Sequence, residues 1–249
     1  MTAVRLRTLA VILGCVAGMA GCTRAAGRRH AYHLGNPQVM QRGSLVLALA
    51  VQDQRPYVLT GAERSTFVGL SRGGWGNAFD VTTVSGQTLS TDFATSIRRG
   101  LMSAGYRVKT VEIGDLASPA QIRIALLQTG AQRGVAVQIQ EWKTDTFSGT
   151  ALDYGVALAV FDGAGREIGR AAINGRDVLV FGRDVTNPAR RAEEAVPGAY
   201  AHKLEELLNA PAIHRALAPP TAAPPSEVPP AAPPAPPVRA CCEADAPTF

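Results

Sequence analysis

The residues best placed to do chemistry lie in Gly69-Leu-Ser71-Arg-Gly73, a literal match to the G-x-S-x-G elbow that presents the nucleophile of serine hydrolases. A working elbow needs a strand before the serine and a helix directly after it, so that a sharp turn lifts the hydroxyl beside helix-terminal amides. Here Gly73, Gly74 and Gly76 follow, and residues 78–84 read as extended chain. The stretch therefore reads as a β-hairpin, with 65–72 pairing against 77–84 around a turn whose glycines supply positive φ angles. The partners of a triad would have to be an acid and His202 or His214, both at or after the last amphipathic stretch. A hydrolase built on Ser71 stays as the less favoured alternative; no catalytic residue is assigned, and the expectation is a protein that is not an enzyme.

Other groups suggest binding. Trp75 falls at the tip of the expected hairpin, with Arg64 and Arg72 flanking it in sequence, and this trio could engage an anionic or glycan partner by stacking and charge. An aromatic among glycines marks an interaction surface, or it folds back to cover the domain; the sequence leaves both open. Asp53 and Arg55 end an apolar run just before Pro56. They form a candidate strand-end site, since ligands gather at such ends, or they pair locally while Pro56 terminates the strand; the local pairing is favoured. His30 and His33 lack acidic or cysteine company, so no metal site is assigned. Glu141, Lys143 and Asp145 alternate beside Trp142 as a solvated strand face. No phosphate loop, dinucleotide fingerprint or H-E-x-x-H is present, and no cofactor is expected.

The N-terminus carries an address. Arg5 and Arg7 precede an apolar run of 14 residues, Thr8 to Gly21, that ends in small residues before Cys22. About 20 apolar residues are needed to span a bilayer as a helix, so this reads as a bacterial lipoprotein signal over 1–21 with lipidation, palmitate included, at Cys22. Without that segment Lys+Arg falls from 25 to 23 against 20 Asp+Glu, a charge of +3. Such a mild excess suits work beside anionic lipid or polysaccharide and does not argue for nucleic acid. Of the other cysteines, Cys15 lies in the signal, and Cys241 and Cys242 are adjacent in a tail, so no disulfide holds the core.

Four regions follow: the signal at 1–21, a flexible tether at 22–42, a periplasmic domain at 43–210, and a disordered proline-rich tail at 211–249 that holds 12 of the 17 prolines. Within the domain, Ser44–Asp53 is apolar enough for a central strand covered on both faces. Leu89, Phe93, Ile97 and Leu101 form a helical stripe closed by Gly105, and a strand over 106–113 comes next. Ser118-Pro119-Ala-Gln121 has the spacing of a capping box. Alternation around Val135–Ile139 and Leu152–Val160, then a turn at Asp162-Gly163, predicts an antiparallel meander. A last stripe, Ala192, Val196, Tyr200, Leu204 and Leu208, predicts helix that Pro197 should break or kink. The fold class expected is α+β, bordering on α/β: one domain with a mixed, largely antiparallel sheet and helices packed mainly on one face.

The Cys22 pattern, the first strand running into Asp53-Gln54-Arg55, the helix ending Leu101-Met-Ser-Ala-Gly105-Tyr106 and the later meander together resemble the YajG-type outer-membrane lipoproteins, over about residues 5 to 210. The resemblance implies a periplasm-facing, lipid-anchored α/β domain of a family with no established catalytic activity. Thr23, where inner-membrane lipoproteins mainly carry Asp, implies the inner leaflet of the outer membrane. The long loop over 57–83 and the proline tail depart from the family. The order of elements is also similar to accessory lipoproteins of secretion and transport systems. The function expected is thus a non-enzymatic binding or accessory protein of the cell envelope, tied to the membrane through its lipid, with envelope proteins or peptidoglycan as partners. A glycan- or peptidoglycan-binding module and an accessory subunit of a secretion or transport system are the alternatives.

Overall fold

The structure, a computed structural model, describes residues 28–73, 75–181 and 187–219. The signal, Cys22, and the tail with Cys241 and Cys242 lie outside the described residues. In chain order the elements are β1 (Arg29–His30), a 3-10 turn (Tyr32–Leu34), β2 (Val46–Asp53), α1 (Pro56–Leu59), β3 (Phe67–Arg72), β4 (Ala78–Thr83), α2 (Leu89–Ser103), β5 (Arg107–Val111), α3 (Pro119–Gln128), β6 (Arg133–Thr146), β7 (Thr150–Asp162), β8 (Glu167–Val180), α4 (Pro188–Leu208) and α5 (Pro211–Leu217).

The eight strands form one mixed sheet organised by the 14-residue β6. One edge of β6 pairs antiparallel with β7 along its length, and β7 pairs with β8, which gives the expected meander. The other edge is shared. Its first half takes β2 in parallel, from Leu47 opposite Arg133 to Asp53 opposite Ile139, with β5 beyond β2. Its second half takes β3 in parallel, Gly69 to Ser71 opposite Thr144 to Thr146, with β4 antiparallel to β3 and β1 beyond it. A bulge between Ile139 and Glu141 marks the change of neighbour, where extra local twist separates the two halves. The long pairings are antiparallel, so the class is the mixed α+β sheet that the patterning predicts.

β2 shows why its run is apolar on both sides. Leu47, Leu49 and Val51 face α2, α4 and α5 in the main core, while Ala48 and Ala50 face α3 through Ile122 and Leu126. Helices α2, α4 and α5 thus cover one face and α3 covers part of the other. The stripe Leu89, Phe93, Ile97 and Leu101 is fully buried. Around Trp142 the rings of Tyr32, Phe93 and Tyr200 pack edge to face with centroids 5.2 to 6.0 Å away. Both arms of the α3 capping box form: Gln121 N–H donates to Ser118 Oγ at 3.3 Å, and Ser118 N–H donates to Gln121 Oε1 at 2.8 Å. Replacing Ser118 with Ala should cost about 1 kcal/mol, read as a lower urea midpoint with an unchanged slope.

Three expectations are corrected. The tether does not run to residue 42, because residues 28–42 pack on the domain. β1 extends the sheet beside β4, and Tyr32 is fully buried. Asn209 clamps this segment by accepting from Met40 N–H at 2.8 Å and donating to the Gln38 carbonyl at 2.7 Å. The tail does not begin at 211: α5 buries Ile213, Ala216 and Leu217, and Tyr106 Oη donates to the Leu217 carbonyl. Pro197 does not divide α4, which is one helix from Pro188 to Leu208. An interior proline costs about 3 kcal/mol, and burial of Ala192, Val196, Tyr200, Leu204 and Leu207 along the same helix offsets it.

Burial of β1 has a pH consequence. His30 is only 2 % exposed, its Nε2 lies 3.3 Å from Thr144 Oγ1, and desolvation lowers its pKa to about 4. The unfolded chain binds a proton as pH falls through the ordinary histidine range, and the native state resists until about pH 4. Stability therefore falls across that window, by about 3 kcal/mol in full. The difference in urea midpoint between wild type and His30→Asn should shift in favour of the variant as pH drops from 6.5 to 4.

Candidate functional site

The G-x-S-x-G stretch is strand and turn. Ser71 sits in β3 between Thr146 on β6 and Phe79 on β4, is buried, and leads into a hairpin instead of a helix. The glycines have other reasons. Gly69 has φ +153°, beside a bulge, and lies tight against Thr144 of β6, and Gly73 closes the turn by donating its N–H to the Asn77 carbonyl at 2.9 Å. His202 and His214 are exposed on α4 and α5.

Asp53 and Arg55 are interior residues, buried at the junction where β6 exchanges β2 for β3. Arg55 Nε and Nη2 donate to the two Asp53 carboxylate oxygens at 2.8 and 2.7 Å. Nη1 donates to the carbonyls of Phe67 at 2.6 Å and Trp142 at 3.3 Å, and Nη2 also donates to Ser65. The pair therefore satisfies the carbonyls left open between strands and presents nothing to a ligand. The polar cleft that does lie at the strand ends, about 390 Å³, is bounded by Thr88 at the N-cap of α2, by Thr91 and Arg98 on that helix, and by Glu112 and Asp115 after β5. Neighbouring Gln52 braces its wall, donating to the carbonyls of Gly114, Asp115 and Ala117. Burial holds the Asp115 carboxyl above its usual range. A second groove, about 170 Å³, runs beside α3 between Ile122, Ala136, Ala159, Phe161 and Arg170. Among the described residues no three His, Cys, Asp or Glu side chains converge as metal ligands.

The sequence trio at the hairpin is not brought together. Trp75 is 96 % exposed at the tip, so it does not fold back. Arg64 precedes β3 and Trp75 follows it, and six strand residues at about 3.3 Å each put about 20 Å between them. Arg72 lies beside the tip, but its guanidinium is paired with Asp145 of β6 by two 3.0 Å hydrogen bonds.

What the fold gathers around Trp75 instead is aromatic. Phe79 opposes Ser71, Ser71 opposes Thr146, Thr146 opposes Thr150, and Thr150 opposes Val180, a row that crosses five strands at one end of the sheet. Along and just beyond this row stand Trp75, Phe79, Phe147 in the β6–β7 turn, and Phe181 after β8. Every exposed Trp, Phe or Tyr among the described residues belongs to this rim. At about 4.8 Å per strand, it extends about 19 Å from the Phe79 column to the Phe181 column. Phe147 and Phe181 carried no signal in sequence beyond being apolar in a turn and after a strand, because their sharing one end of the sheet with Trp75 depends on strand order.

No family model matches the sequence, and no curated protein matches it. Several solved structures are similar. Protein XCC0632 of Xanthomonas campestris, of the family model DUF330, has a TM-score of 0.40 at 10% identity, covering 72% of this chain and 91% of its own. Lipoprotein GNA1162 of Neisseria meningitidis has 0.32 at 10% identity, covering 64% and 99%. A PelC dodecamer of Paraburkholderia phytofirmans has 0.32 at 15% identity, covering 75% and 96%.

Proposed function

We propose that this protein is a lipid-anchored, periplasm-facing lipoprotein that acts without catalysis, as a binding or accessory protein of the cell envelope. The observation that carries the reading is the contrast between its two kinds of surface. The one hydroxyl in a nucleophile motif, Ser71, is buried in a strand, whereas four large aromatic side chains stand exposed together at one end of the sheet. Exposed aromatic clusters of this kind mark interaction surfaces. The Arg5, Arg7, apolar and Cys22 pattern supports the anchor, and Thr23 and the YajG-type resemblance support the inner leaflet of the outer membrane. Among the described residues no helix is long and apolar enough to cross a membrane.

Membrane fractionation of cells expressing wild type or Cys22→Ala tests the address. Wild type should travel with outer membranes and the variant should not; equal distribution of both would contradict the anchor. A fluorophosphonate probe tests the absence of catalysis. Labelling of wild type that disappears in Ser71→Ala would establish a hydrolase in its place.

A further inference from the structure

The aromatic rim and the start of the described chain lie toward the same end of the sheet. β1 is parallel to β4, and β4 runs away from the hairpin tip, so the chain enters β1 from the rim side. Arg29 is level with Thr82, four residues behind Ala78, or about 13 Å at 3.3 Å per residue. Arg28 is held there by Glu193 of α4 at 3.5 Å. Cys22 is six residues upstream, and six residues span at most about 20 Å. A lipid on Cys22 can therefore reach the level of the rim.

Among the described residues, the two arginines just behind the rim are paired across strands, Arg72 with Asp145 and Arg176 with Asp153, so neither guanidinium is free for an ionic partner. Among the described residues, the two grooves noted above are lined by other parts of the domain and not by the rim. Large exposed aromatics at the strand ends and turns of one end of a sheet match the interface of a bilayer, where Trp in particular partitions.

We propose that Trp75, Phe79, Phe147 and Phe181 form a bilayer-contacting edge, seated in the leaflet that carries the Cys22 lipid and orienting the domain with its strand turns against the membrane. The orientation rests on the lipid-anchor reading; the affinity of the rim for lipid does not.

The test uses residues 22–249 with Cys22→Ser, which retain every core residue described above and carry no lipid. Trp142 is fully buried, so a change in tryptophan emission on adding vesicles reports Trp75. With phosphatidylcholine vesicles the emission should move to the blue and be quenched by brominated lipid. It should do the same with phosphatidylglycerol added and at high salt. Phe147→Ser and Phe181→Ser should each weaken vesicle partition roughly tenfold, with circular dichroism unchanged because both rings are exposed. An unmoved spectrum at saturating lipid would overturn the proposal. So would a blue shift that needs only higher protein concentration, one produced by peptidoglycan fragments and not by vesicles, or one confined to anionic vesicles at low salt. If cells acylate Cys22 yet the rim ignores vesicles, the rim proposal fails alone. If the rim binds vesicles yet Cys22 is never processed, the anchor reading fails alone.

Discussion

Replacing Arg55 with Met should lower stability by about 3–5 kcal/mol, because it strands the Asp53 carboxylate in an interior where its remaining donor is the Arg55 backbone N–H at 3.2 Å. For a domain of this size that loss corresponds to a fall in melting temperature of about 10 °C or more. The guanidinium also supplies the carbonyls of Phe67, Ser65 and Trp142, which come from β3, the loop before it and β6. Its loss therefore loosens the place where the β3–β4 hairpin joins the rest of the sheet. A double variant, Asp53→Leu with Arg55→Met, should recover part of the loss by removing the unpaired charge, since a buried ion pair owes much of its apparent worth to the cost of breaking it one side at a time. Full recovery is not expected, because those carbonyls still lack a donor. Equal melting temperatures for wild type and Arg55→Met would show that the pair is solvated and open to ligands, contrary to its burial.

Gly69→Ala should cost about 3 kcal/mol or more, from two independent sources. The backbone there has φ +153°, a region that L residues rarely adopt, and an added Cβ would fall on Oγ1 and the carbonyl oxygen of Thr144 and 2.8 Å from its amide nitrogen. Those atoms belong to β6 and cannot retreat without opening the β3–β6 pairing. Gly76→Ala, at φ +80° with nothing nearby, carries the conformational cost alone and should lose less. Urea unfolding of the two variants in parallel separates backbone strain from collision. A Gly69→Ala protein as stable as wild type would mean that β3 and β6 lie farther apart than described. This close approach accounts for the first glycine of the G-x-S-x-G match without any nucleophile.

Elements governed by local pattern were legible from sequence. The four-residue stripe of α2, the Ser118 capping box and the alternation of β6 and β7 each carry their own evidence within a dozen residues, and all form as expected. The covered central strand was legible too, since seven consecutive apolar residues, Leu45 to Val51, leave no polar face and need layers on both sides. Long-range arrangements were not. Tyr32 enters the core from a segment with no periodicity, because what buries it is Trp142 and Tyr200, more than a hundred residues away. Isoleucine and leucine in α5 were hidden by the prolines around them. Of the candidate site, the place of Trp75 at a hairpin tip could be anticipated from a glycine-rich turn, and its exposure could not. Its neighbours could not, because the strand order that lines up Phe79, Phe147 and Phe181 follows from β6 sharing one edge between β2 and β3. Arg64 was a false neighbour for the opposite reason: close in sequence, it stands at the far end of an extended strand.

The proposed anchor at Cys22 would give the exposed aromatic rim a defined place to act, so the intact mass of the protein purified from bacterial membranes tests the account most directly. The account predicts a chain that begins at Cys22, lacks residues 1–21, and carries the added mass of a diacylglyceryl group and an amide-linked acyl chain, with Cys22→Ala remaining unprocessed. A wild-type mass equal to the full 249-residue, 26.1 kDa chain without lipid would contradict it.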